Sequence, residues 1–143
     1  MSNFKLDQRL EDNSFLIDIF EDIQIRAFND SRYFWYILVP TISELKDWHD
    51  LPIKVEKNLL IYTRKLSQFL SQTQNADKIN IASIGNIVSQ FHLHVIARHK
   101  DDAKWPQPVW GDPITSALSQ NDLETRKYII KMIKTLVIEE KTD

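Results

Sequence analysis

Gln90, His92 and His94 alternate along Ser89-Gln90-Phe91-His92-Leu93-His94-Val95-Ile96-Ala97-Arg98, a stretch that holds two of the chain's four histidines. Leu93, Val95 and Ile96 favour a strand, and in a strand successive side chains point to opposite faces. Phe91, Leu93, Val95 and Ala97 then share an apolar face, while Gln90, His92, His94 and Ile96 share the other. Two imidazoles and a carboxamide would project side by side, with neighbours about 6.5–7 Å apart, from a rigid platform suited to catalysis. Three chemistries fit this arrangement. Neutral imidazoles bind zinc, copper or iron. One imidazole can act as a nucleophile while the other donates a hydrogen bond. Both rings can also be satisfied in a polar interior and serve structure alone.

The surrounding chain supplies the elements of one domain covering residues 1–143, an ordinary domain size. Residues 15–20 are apolar enough to pack as a strand or a short helix. Residues 23–28 alternate apolar and polar, as a half-buried strand does. Asn29-Asp30-Ser31-Arg32 is turn chemistry, and the aromatic, β-branched run 33–39 reads as a central strand ended by Pro40. These two strands predict an antiparallel hairpin. Pro52 suits the first turn of a helix, and Val55, Leu59, Tyr62, Leu66, Phe69 and Leu70 recur at helical spacing. Residues 78–83 alternate as a further strand, with a Gly85-Asn86 turn leading into the histidine strand. Asn121 with Glu124 predicts a helix start, followed by the apolar pattern of a C-terminal helix. The expected architecture is α+β: an antiparallel sheet of about five strands, a long helix across it and a helix at the C-terminus.

Composition narrows the function. Hydrophobic residues make up 43% and charged residues 27%, which suits a globular chain rather than a disordered one. The formal net charge is −2 and no long basic run exists, so a nucleic-acid polymer is not an expected partner. Cysteine is absent, which excludes disulfides, thiolate metal sites and a cysteine nucleophile. Glycines occur only at 85 and 111, so glycine-rich phosphate loops and dinucleotide fingerprints are excluded too. The N-terminus lacks an apolar signal core, and no run of about 18 apolar residues is present to span a membrane. A soluble cytoplasmic protein is expected.

Gln90-Phe91-His92-Leu93-His94-Val95-Ile96 resembles the signature of the histidine-triad (HIT) superfamily, His-x-His-x-His followed by two apolar residues, with Gln90 where the first histidine would stand. The resemblance runs from about Ile23 to Trp110. It implies a HIT-like fold in which His92 attacks the α-phosphorus of a nucleotide and His94 donates to the phosphate, with Gln90 beside them. The strand end Ala27-Phe28-Asn29-Asp30 resembles the segment where superfamily members hold ribose, which gives Asn29 and Asp30 a nucleotide-binding place, Asp30 as the acceptor. Asn86 aligns with a phosphate-contacting polar residue. Trp105-Pro106-Gln107-Pro108-Val109-Trp110-Gly111 resembles a Trp-Pro segment near the substrate end of the site. Arg98 offers a charged donor to phosphate. Thr41 departs from the basic residue that often follows the strand-ending proline.

The implied activity is hydrolysis of a nucleotide phosphoester or phosphoanhydride, or nucleotidyl transfer, through a nucleotidyl-histidine. Diadenosine polyphosphates and nucleoside phosphoramidates are the implied substrate class, with no cofactor. A nucleotide-binding module of weak catalytic power is the alternative. A metal protein using His92 and His94 ranks last, since a metal needs more ligands than this strand supplies. The resemblance also implies a homodimer, joined through the long helix and the strand at 78–83.

Overall fold

A strand that is apolar on both sides has to be covered on both, and the run Phe34–Pro40 occupies the one kind of place that allows it. The computed structural model describes residues 3–142. In chain order its elements are α1 (Gln8–Asn13), β1 (Ser14–Phe20), β2 (Ile23–Phe28), β3 (Phe34–Pro40), α2 (Ile53–Thr73), β4 (Lys78–Ala82), β5 (Leu93–Arg98) and α3 (Gln120–Thr142). The strands form one antiparallel sheet in the order β1-β2-β3-β5-β4, with β3 in the middle. This is the α+β architecture that the sequence predicts. Residues 15–20, compatible with strand or helix on their sequence, belong to the edge strand β1.

One face of the sheet is covered by helices. Val55, Leu59, Tyr62, Leu66 and Leu70 lie three or four residues apart, which puts them on one side of α2. All five are buried, in one core with Ile25, Tyr36, Leu38, Leu93 and Val95 of the sheet. Each such side chain contributes about 1.5–3 kcal/mol on burial, so the stripe suffices to dock α2. Ile129, Ile130, Ile133 and Val137 bring α3 into the same core, beside α2 and β1. The opposite face carries Trp35, Ile37, Val39 and Ile96. Leu10 and Val109 pack there, from α1 and from the loop after β5.

Two details differ from the alternation pattern. β5 begins at Leu93, so Gln90, Phe91 and His92 precede the strand; the Phe91 N–H bonds to the Leu45 carbonyl at 2.8 Å rather than to a neighbouring strand. Gly85-Asn86 is not a tight hairpin turn either. Ala82 pairs with His94, and residues 83–92 form a broad loop. Gly85 has φ +74° there, a left-handed conformation that glycine adopts without a Cβ penalty. Among the described residues, no helix is long and apolar enough to cross a membrane.

Candidate functional site

The broad loop, the ends of β2 and β3, α1 and the segment after β5 surround a cavity of about 530 Å³ on the face away from the two long helices. His92, His94, Asp30, Asn86, Trp35 and Trp110 all line it. β5 is what aims His94. Its register sets Ile37 opposite His94 and Trp35 opposite Ile96, so Trp35 is a diagonal neighbour of His94 on the same face, within reach of a long side chain. The Trp35 indole N–H donates to His94 Nδ1 at 3.0 Å. An indole nitrogen can only donate, so Nδ1 holds the lone pair and the neutral ring carries its proton on Nε2.

His92 is fixed in the complementary sense. Its Nδ1 lies 2.7 Å from the main-chain carbonyl oxygen of Gln90. A carbonyl can only accept, so Nδ1–H donates and the lone pair is on Nε2. The two rings stand 4.9 Å apart at 73°. Burial lowers the His92 pKa below the ordinary 6.5, opposed by the Gln90 carbonyl and the Asp7 carboxylate. Burial, and then the neighbouring His92, pushes His94 down to about 3. At neutral pH the cavity therefore receives a lone pair from one ring and an N–H from the other.

Residues 9–101 match the family model of the HIT domain. The chain belongs to the HIT-domain family. A histidine-triad protein from Sinorhizobium meliloti 1021 superposes with a TM-score of 0.85 at 36% identity, covering 91% of this chain and 96% of that one. A histidine-triad protein from Marinobacter aquaeolei VT8 gives 0.87 at 29% identity, covering 94% and 98%. One from Bradyrhizobium japonicum gives 0.78 at 30%, covering 92% and 96%. A comparison with curated proteins finds no match. The sheet with its long helix and C-terminal helix is thus the HIT fold.

Within this HIT domain, four of the residues singled out by sequence meet in the cavity: His92, His94, Asp30 and Asn86. Asp30 has a side chain only 2% exposed. Its Oδ1 accepts from the Arg32 N–H and Nε–H, both at 3.0 Å, and its Oδ2 accepts from Arg32 Nη2 at 2.7 Å. A carboxylate has about four acceptor positions, so one remains on Oδ2. Asn29 does not line the cavity; its Oδ1 accepts from the Leu118 N–H at 2.8 Å and ties the β2–β3 turn to the chain before α3.

Gln90, Arg98 and Trp105 also lie outside the cavity lining. Gln90 is not on one strand face with His92, because β5 has not yet begun; its carboxamide bonds to the N-terminal segment. Arg98 is buried, and four of its five N–H donors are engaged. It donates to both oxygens of Asp102 at 2.7 and 3.0 Å, to Asn80 Oδ1 at 3.0 Å and to the Gln107 carbonyl at 2.8 Å. Trp105 packs over the Arg98 guanidinium, 5.7 Å from its ring centre.

Other site residues carry no motif. Trp35 reads as core until its partner His94, distant in sequence, is known. The Trp110 ring lies 4.9 Å from His94, so Trp110 rather than Trp105 is the tryptophan of that segment at the histidines. Replacing Trp35 by Phe removes the N–H that selects the His94 tautomer. The expected loss of turnover is about five- to tenfold, the worth of one neutral hydrogen bond. Nitrogen NMR of His94 checks the cause: Nδ1 unprotonated in the wild type, and a mixture of both tautomers in Trp35→Phe.

Proposed function

We propose that this HIT-domain chain is a nucleotide phosphoester or phosphoanhydride hydrolase, or a nucleotidyl transferase, acting through a nucleotidyl-His92 intermediate. The observation that carries the reading is the His92 Nδ1–H bond to the Gln90 carbonyl, which leaves Nε2 as a neutral nucleophile at the cavity. Nε2 attacks the α-phosphorus, and the bond to the leaving group breaks with its electron pair. A phosphate leaves as it is; an amine takes up a proton as it departs. The imidazolium formed keeps its Nδ1–H on the Gln90 oxygen, where the hydrogen bond strengthens as charge develops. His94 Nε2–H donates to a non-bridging phosphoryl oxygen, a preorganised donor aimed at developing charge. Attack by water or another acceptor on the phosphorus then breaks the P–N bond and restores His92. Asp30 accepts a ribose hydroxyl at its remaining Oδ2 position, and Asn86 donates to a phosphate oxygen.

Two rival readings predict different behaviour. A metal held by both rings requires a lone pair from each, yet the His94 lone pair is engaged by an indole that can only donate. A decayed binding module is disfavoured because both imidazoles keep reactive tautomers, and the glutamine at the first triad position has no place in the cavity. The test is release of AMP from diadenosine tetraphosphate and from adenosine 5′-phosphoramidate, with and without a strong chelator. Turnover of either substrate that persists under chelation supports the reading. Turnover abolished by chelation and restored by zinc supports the metal; tight AMP binding with no turnover supports the module.

We further propose a two-fold homodimer, the commonest oligomer. Ile81 of the edge strand β4 and Leu60 of α2 are each half-exposed, and both lie on the elements expected at the contact. Light scattering at micromolar protein should give twice the chain mass, and Ile81→Lys with Leu60→Glu should give the single-chain mass.

A further inference from the structure

The Gln90 side chain is turned away from the cavity onto the N-terminal segment. Its Oε1 accepts from the Asp7 N–H at 2.9 Å, and its Nε2 donates to the Lys5 carbonyl at 2.8 Å. Asp7 then caps α1, accepting the Arg9 N–H at 2.9 Å. The same carboxylate takes the Arg9 guanidinium edge-on, Nε at 3.1 Å and Nη2 at 2.9 Å. Arg9 Nη1 donates to the Ile87 carbonyl in the broad loop at 3.0 Å. Gln90, Asp7 and Ile87 thus hold Arg9 in place at the cavity rim.

Arg9 is the one lysine or arginine among the described residues lining the cavity. The other basic groups there, His92 and His94, are neutral. A guanidinium has five N–H donors; the bonds above use three, which leaves one on each terminal nitrogen. Asp30 lines the cavity with a side chain only 2% exposed, whereas the Arg9 side chain is 55% exposed. A nucleotide with its ribose at Asp30 and its α-phosphorus at His92 would extend any further phosphates toward that rim.

We propose that Arg9 recognises the phosphates beyond the α-phosphorus, and that Gln90 is its positioning residue. The inference rests on the nucleotide reading and adds to it a preference for leaving groups that are themselves phosphate anions. The Gln90 side chain, at the place of the first triad histidine, orients the N-terminal segment; its main-chain carbonyl is what holds the nucleophile's ring.

Calorimetric titration of the full chain with AMP and with α,β-methylene-ADP, whose bridge resists attack at the α-phosphorus, tests this. The wild type should bind the diphosphate about ten- to a hundredfold more tightly than AMP, the scale of a charge-assisted hydrogen-bonded contact. Arg9→Ala should bring that ratio close to one while leaving AMP affinity within about threefold. Arg9→Lys should retain part of the ratio, since it keeps the charge and loses the fork. Gln90→Ala should lower the ratio with AMP affinity unchanged, whereas a purely structural Gln90 would weaken both ligands alike. An unchanged ratio in Arg9→Ala, or equal weakening of AMP and the diphosphate, would overturn the proposal. Pyrophosphate alone separates the two ideas. Arg9-dependent binding of pyrophosphate with no binding of AMP would keep the anion site and defeat the nucleotide reading; no Arg9-dependent binding of either phosphate ligand would defeat the anion site.

Discussion

His92→Ala is expected to lower turnover of adenosine 5′-phosphoramidate by about four orders of magnitude or more, the scale on which a catalytic nucleophile is lost. The fold should survive, because the side chain borders an open cavity and gives up one hydrogen bond, worth about 1 kcal/mol. Chemical denaturation of wild type and variant separates the two effects. The pH dependence of the wild type provides a second check on the same residue. A free imidazole protonates as pH falls through 6.5, but burial lowers the His92 pKa, so the neutral nucleophile and its activity should persist below pH 6.5. Stability follows the opposite course. In the unfolded chain both rings take up protons near 6.5, while in the folded chain His94 resists until about 3. Acidification across that window therefore draws the chain toward the unfolded state, and stability should fall from pH 6.5 downward.

The second large effect is on stability and concerns Asp102. The Arg98 and Asp102 side chains are only 2% and 5% exposed. Burial acts to raise the Asp102 pKa, but bonds from Arg98 and from the His99 N–H outweigh it and hold the carboxyl at about 2. Asp102 also accepts from the Lys104 and Trp105 N–H groups at 3.2 and 2.8 Å, so one carboxylate organises the loop that begins at Arg98. Asp102→Ala leaves a buried guanidinium short of its counter-ion, a change that costs about 3–5 kcal/mol. The same loop carries Trp110 to His94, so activity should fall as well. A loss below about 1 kcal/mol by urea denaturation would mean that Arg98 finds water or another partner and is not a pinned scaffold.

The contrast between Arg98 and His94 shows where sequence reasoning reaches and where it stops. The α2 stripe and the apolar face of β5 were legible because burial follows local periodicity, and periodicity is written in the residues themselves. His92 and His94 were legible because the motif retains both. Gln90 departs from the predicted strand face because alternation applies only where a strand is regular, and the backbone at Phe91 bonds to the loop at Leu45 instead. Arg98 reads from the sequence as a charged donor to phosphate; only the return of Asp102 onto it shows a buried pair. Trp35 and Arg9 carry no local signal at all. Their roles come from pairing between β3 and β5, and from a glutamine bonded to the N-terminal segment across most of the chain's length.

An adenylyl group carried by His92 during turnover can be trapped and located directly. Rapid mixing with excess adenosine 5′-phosphoramidate, quenching under neutral denaturing conditions and peptide mass spectrometry should find an adenylyl group on the peptide containing His92, absent in His92→Ala. Turnover that proceeds with no adduct, or an adduct carried by another residue while His92→Ala remains active, would contradict the account.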